Sequence, residues 1–247
     1  MIAGSGTLVP AIKSVSEFVL PYDSKYSGDK TNRRDAYEAM ANGLTSSPDG
    51  NTAAVADTML DILGLVDTFK TIPAYTPVAT FPNNSFGKAM KLVAQLLKAN
   101  LGVRYFHVSY GGFDTHSDQE TNNYHTARLQ TISDGLDALY SDLAGLGLAD
   151  DTIFVVYTEF GRTVYENGSK GTDHGTIVPM LVLGNGVIGG LTTPHPSMDP
   201  ANLTSSKQPP KVVDFRDVWG TILEKWLGGT AATIFPGYGF TDLGFLG

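Results

Sequence analysis

The apolar positions of this chain change period along its length, and the change predicts its elements. Over residues 51–69, Val55, Met59, Ile62, Leu63, Val66 and Phe69 recur at helical spacing, with Asn51 or Thr52 placed to cap the first turn. A second helix is expected behind Asn84 or Ser85, with Phe86, Met90, Val93, Leu96 and Leu97 on one face and Asn100-Leu101-Gly102 as its stop. Residues 124–143 repeat the pattern through Leu129, Ile132, Leu136, Leu139 and Leu143, and residues 215–227 through Val218, Ile222, Leu223 and Trp226. Between these helices the period collapses. Residues 103–110 read as a β-rich strand, while 152–157 and 178–184 are almost continuously apolar, as strands buried in parallel sheets are. Residues 35–44 read as a short helix within an irregular first fifty residues, and 71–82, holding Pro73, Pro77 and Pro82, as a loop. Strands alternating with helices predict an α/β fold class with a mostly parallel sheet and helices on both faces. A helical part at 51–101 precedes an α/β core at 102–247, all within a single domain of 1–247.

Composition narrows the partners. At 247 residues the chain can bury one sizeable core. Its net charge of −8 argues against a nucleic-acid or anionic-membrane surface. The absence of cysteine removes disulfides, thiolate metal sites and a Cys nucleophile. No stretch approaches the about 18 consecutive apolar residues of a membrane span. Residues 1–22 have no proper apolar h-region and do not read as a signal peptide, so the chain as it stands is expected to be soluble.

Three tracts carry the candidate chemistry, each beside the end of an expected strand, where ligands gather in α/β proteins. The first is Gly111-Gly112-Phe113-Asp114-Thr115-His116. Asp114 and His116 lie two residues apart, so in an extended segment both side chains reach one side and one ion. Equally, Asp114 can cap a turn with His116 bonded to it. The second tract, Gly171-Thr172-Asp173-His174-Gly175, places adjacent side chains that diverge. They can serve two neighbouring ions, or one can bind while the other orients a ligand; a turn Asp beside an exposed His is the plainer alternative. The third, Thr158-Glu159-Phe160-Gly161-Arg162-Thr163, offers Glu159 as ligand or general base and Arg162 as a fork for an oxyanion, unless the two form a salt bridge. Asp and His together suit zinc, iron or manganese. His107, His125 and His195 read as structural or surface residues. Gly184-Asn185-Gly186-Val187-Ile188-Gly189 matches a dinucleotide pattern, but the Gly190-Leu191-Thr192-Thr193-Pro194 that follows is a poor helix opening, so it reads as a turn.

These tracts, with Asn167-Gly168, Val187-Ile188-Gly189-Gly190, Asp214-Phe215-Arg216-Asp217-Val218 and Leu223-Glu224-Lys225-Trp226-Leu227, resemble a large bacterial family of secreted proteins of unknown function within the alkaline phosphatase/sulfatase superfamily. The resemblance runs from about residue 92 to the C-terminus. It implies an alkaline-phosphatase-like α/β core with two metal ions held by Asp and His at strand ends. Asp114 and His116 resemble the central Asp–His pair, and His174 the late His before the last core strand. Glu159-Phe160 stands where classical members of the superfamily have Asp-His after the penultimate strand. Nothing before Asn51 resembles the relatives' early strand and Ser/Thr nucleophile, so the chain looks like the C-terminal two-thirds of a longer relative, either natural or cut from incomplete sequence; the relatives look exported.

The reading that follows is a metal-dependent hydrolase of phosphate or sulfate esters using a metal-activated water. Asp114, His116, Asp173 and His174 hold the metal, zinc first, with manganese, iron or calcium as the other candidates. Glu159 serves as base or extra ligand, and Arg162 steadies the leaving oxyanion. A carboxylic-ester hydrolase with the same site is the rival enzyme, and a non-catalytic binding domain the rival from another class. The substrate is a small-molecule ester, with no nucleic acid or membrane partner. A lost first core strand predicts a homodimer, unless the apolar runs near residues 8–12 and 18–20 fold back as a cover.

Overall fold

Charge pairs, more than apolar period, build the first helix. Helix α1 (Asp29–Leu44) starts six residues ahead of the expected 35–44, because its opening turns rest on ionic contacts that a hydrophobic pattern does not register. Arg33 pairs with Asp29 at 3.0 Å and Arg34 with Glu38 at 2.6 Å, both at i,i+4 spacing. Helix α2 (Gly50–Lys70) packs against α1. Its cap is Asp49, whose carboxylate accepts from the N–H groups of Asn51 and Thr52; the side chains expected to cap belong to the first turn itself. Arg34 also reaches Asp67 on α2 with two nitrogens, and Lys70 reaches the same carboxylate at 2.6 Å. These cations hold Asp67 at about 2, well below the usual carboxylate value. Helix α3 (Ser85–Ala99) is capped by Asn84 Oδ1, which accepts from Gly87 N–H at 2.8 Å. It stops at Asn100 in the left-handed region, φ 48°.

Residues 11–16, 18–20, 25–204 and 207–247 are described by a computed structural model, and the chain divides into two units. One comprises 1–77 with 83–108, and the other 78–82 with 109–247. The core of the first is Phe69, Ile72 and Leu96, with Ile12, Val15 and Phe18 packed on it. Phe18 thus folds back onto α2, its ring 4.5 Å from that of Phe69; residues 8–10 of the expected apolar run lie outside the described residues. Residues 103–110 join no ladder among the described residues. β propensity expresses fit to a pleated, half-buried surface, and a strand needs a partner to supply one.

Among its described residues the second unit holds helix α4 (Tyr124–Leu146), four short strands and helices α5 (Phe215–Lys225) and α6 (Ala231–Ile234). Strand β1 (Phe154–Val156) pairs antiparallel with β4 (Leu181–Leu183), Val155 opposite Val182. These two apolar runs are the ones expected as strands. Their inner residues pack with Ile153 and Met180 on Val218, Ile222 and Phe245. Strand β2 (Gly161–Arg162) pairs antiparallel with β3 (His174–Gly175), with Arg162 opposite His174. Buried Asp217 of α5 accepts from Thr241 N–H at 2.8 Å and Tyr238 O–H at 3.0 Å, tying the last residues down. The GxGxxG segment closes as a turn, Val187 N–H donating to Gly184 O at 3.1 Å. No helix among the described residues is long and apolar enough to cross a membrane.

Segment 78–82 is anchored by one carboxylate. Asp142 of α4 is fully buried and accepts from the N–H groups of Val78 at 2.5 Å and Ala79 at 2.9 Å. Replacing it by Ala strands two backbone donors, so Asp142→Ala should destabilise this unit by about 2–4 kcal/mol. Both tryptophans, Trp219 and Trp226, lie in the unit, so their fluorescence in a denaturant titration reads the loss directly.

Candidate metal centre

The first and second chemical tracts are stitched together by their backbones. Asp118 N–H donates to Ser169 O, Gln119 N–H to Lys170 O and Thr172 N–H to Thr115 O, at 3.0–3.1 Å. The Gln119 side-chain oxygen accepts from both Thr115 Oγ1, at 2.9 Å, and Thr172 Oγ1, at 2.8 Å. Glycine is required where the two chains touch. A Cβ on Gly171 would stand 2.3 Å from the His116 carbonyl carbon, and one on Gly175 2.6 Å from the Arg162 backbone. Gly112 adopts φ 93°, and the Arg128 guanidinium occupies the space a Cβ would take while donating to Gly111 O at 2.6 Å.

On this scaffold three side chains converge. His116 Nε2 lies 3.0 Å from His174 Nε2 and 3.1 Å from Asp114 Oδ1, and His174 Nε2 lies 3.0 Å from the same oxygen. Each side chain is about half exposed: 50% for His116, 53% for His174 and 54% for Asp114. One side of the triangle therefore faces solvent. Asp114, Thr115, His116, Ser117, Asp118, Thr121 and Tyr124 line an open cleft of about 370 Å³.

The other expected site residues take different places. Asp173 is not one of the three; its Oδ1 sits 3.3 Å from His116 Nδ1, across the ring from Nε2. Arg162 does not present a free fork. Nη1 donates to Thr172 O at 2.8 Å, and Nη2 donates to Phe113 O at 2.9 Å and to Asp114 Oδ1. Glu159 is exposed, accepts from its neighbour Thr158 Oγ1 at 3.2 Å, and stands outside the three-residue cluster. Phe160 instead lies flat on His174, ring centroids 4.0 Å apart at 22°. His195 is exposed and bonded to Pro196 O, and His125 stands edge-on to Phe113. The residues missed from sequence are Asn167, Gln119 and Phe160. Asn167-Gly168 was visible as a motif, but its role depends on contacts with residues 51 and 6 positions away.

The donor set fits a divalent cation. Two imidazoles and one carboxylate with an open side match catalytic zinc sites and the facial triads of other divalent metals. Tetrahedral zinc at about 2.0–2.1 Å spaces its ligand atoms about 3.3 Å apart, close to the triangle observed. Asp114 is ready as an anion: the Arg162 guanidinium, then the His174 hydrogen bond, hold its carboxyl below the usual range. Asp173 is likewise lowered, by Asn167 first and His116 second.

The lowered Asp114 carboxyl makes folding stability depend on pH. A lowered folded value stabilises the fold above the unfolded value of about 3.9 and is lost as pH falls through the folded one. Arg162→Met should raise the Asp114 titration toward about 3.9, seen by carboxyl NMR, and erase that part of the acid sensitivity.

A family model, that of the proteins of unknown function DUF1501, matches residues 44–233. No curated protein matches the chain, and no solved structure does. The matched span includes both helices around residue 50–100, all three chemical tracts and helix α5. The chain belongs to the DUF1501 family, whose members are described as proteins of unknown function.

Proposed function

We propose that this protein is a metal-dependent hydrolase of ester bonds, with Asp114, His116 and His174 holding a divalent cation, zinc before manganese, iron or calcium. The observation that carries the reading is the convergence of those three ligand atoms within 4.8 Å of one another beside an open cleft. When bound, such an ion supplies Lewis acidity, lowering the pKa of water and polarising an ester oxygen. The chain's own residues do the rest. Arg162 keeps Asp114 ionised and in place, Phe160 backs the His174 ring, and the exposed Glu159 is the candidate base. The same proposal carries the finer assignments: the alkaline phosphatase/sulfatase superfamily, a mostly parallel core, and an exported bacterial setting. Their support is the set of Gly-flanked Asp/His tracts that the chain shares with that resemblance.

One observation favours carboxylic esters over phosphate or sulfate esters. The residues lining the cleft include two carboxylates and several hydroxyls but no Lys or Arg, and the Arg162 fork is spent on Asp114 and two carbonyls. None of the residues that line the cleft would supply an anionic ester with a Lys or Arg cation.

Protein purified without chelators should hold about one divalent ion per chain. Failure to retain or regain any on dialysis refutes the centre. His174→Ala should lose that ion and His195→Ala keep it; equal effects would assign the wrong histidine. Hydrolysis of aryl esters should stop with chelator and return with metal, and a panel of aryl acetate, phosphate and sulfate separates the ester classes. Activity that survives thorough chelation overturns the mechanism.

Self-association as a dimer belongs to the same proposal. Among the described residues β1 and β4 pair only with each other, and Leu181 and Leu183 remain 55% and 42% exposed. Light scattering coupled to size exclusion should give a dimer mass; a monomer mass across a wide concentration range removes the dimer.

A further inference from the structure

We infer that Asp173 and Asn167 are positioning residues that fix the His116 imidazole in one tautomer, Nδ1–H, and so turn its Nε2 lone pair toward the metal. The inference rests on the metal-centre reading for its purpose, but its geometry stands without an ion.

An imidazole has two nitrogens on opposite flanks of the ring, and the partner of one decides the protonation of the other. His116 has both flanks assigned. Nε2 faces His174 and Asp114 at 3.0 and 3.1 Å, while Nδ1 faces Asp173 Oδ1 at 3.3 Å. An ionised carboxylate only accepts, so the bond at Nδ1 requires the proton to be there. Nε2 is then left as an acceptor, and the hydrogen it can accept is that of His174 Nε2 at 3.0 Å; its contact with Asp114 is not a hydrogen bond. This is the carboxylate–histidine–metal arrangement by which outer residues orient a ligand. It also separates Asp173 from the ion, because the oxygen that touches His116 lies on the flank away from Nε2.

Asn167 holds that carboxylate. Its Nδ2 donates to Asp173 Oδ1 and to the His116 carbonyl, both at 3.0 Å. Its Oδ1 accepts from Ser169 N–H at 2.9 Å and Gly171 N–H at 3.0 Å. Both amide protons and the oxygen are used, so the amide has one orientation that satisfies everything around it. Asp173 is gripped from the other side through Thr163, whose N–H donates to Asp173 O and whose Oγ1 accepts from Asp173 N–H. A single asparagine thus places both the backbone of His116 and the carboxylate that sets its tautomer.

Two measurements test this. In metal-free protein, 15N NMR of the His116 ring should show the Nδ1–H tautomer, and Asp173→Ala should shift it toward Nε2–H. A wild-type ring already in the Nε2–H form overturns the inference, whether or not the protein binds metal. With cobalt(II) as the probe, Asp173→Ala should weaken binding about 10–100-fold, and the milder Asp173→Asn and Asn167→Ala should weaken it less. All three should keep the wild-type visible spectrum, because the ligand set is unchanged, while His174→Ala alters it. A spectrum altered by Asp173→Asn makes Asp173 a direct ligand, and undiminished affinity in Asn167→Ala removes Asn167 from the scheme. If wild-type protein takes up no cobalt, the metal-centre reading fails while the tautomer measurement still decides this one.

Discussion

The Arg162 guanidinium is the contact on which the rest of the site depends. It bonds to Phe113 O and Asp114 in one tract and to Thr172 O in another, from a strand whose partner carries His174. Arginine keeps its charge at any accessible pH and holds its donors in a fixed plane, so the joint is permanent and directional. Lysine would offer one point of charge without the fork. Through this group segments 48 and 10 residues away from it in the chain share one frame, and Asp114 is both ionised and aimed.

Close backbone approach makes that frame rigid in place of a wide sheet. Gly171 and Gly175 let residues 171–175 lie directly on the backbones of His116 and Arg162, and even a methyl group would separate them. Asn167, Gln119 and Thr163 then satisfy the backbone and side-chain groups the irregular loops leave over. The ligand atoms are half exposed, so charge attraction among them is weakened by water and salt. Their order comes from hydrogen bonds with fixed direction. Under the proposed function, such a centre would hold an ion on one side and admit a substrate on the other.

The consequence for chemistry is a division of labour among adjacent residues. His174 belongs to the triangle and its neighbour Asp173 stands behind His116, because side chains of successive residues in an extended segment point to opposite sides. Asp114 and His116, two apart, both reach the triangle from a tight turn in which Thr115 N–H donates to Phe113 O. The 158–163 tract contributes no atom to the triangle: Phe160 backs one ligand ring and Arg162 clamps another ligand.

Helices with a continuous apolar stripe were legible in the sequence, since their period is set by their own backbone geometry: α2, α3, α4 and α5 all lie close to where the spacing places them. The apolar runs at 152–157 and 178–184 were legible as strands for their continuity, but their mutual pairing was not, because register and direction depend on which segment arrives alongside. The start of α1, resting on ion pairs, and residues 103–110, lacking a ladder, escaped the same logic. In the site, the sequence by itself marked Asp114, His116, Asp173 and His174 as ligand candidates, because Gly-flanked Asp/His spacing is a local property, and three of these four converge. Only the tertiary structure decided that Arg162 is a clamp, Phe160 a platform, and Asp173 and Asn167 neighbours of His116. Those roles consist of contacts between segments far apart in the chain, and no local spacing encodes a distance that folding alone creates.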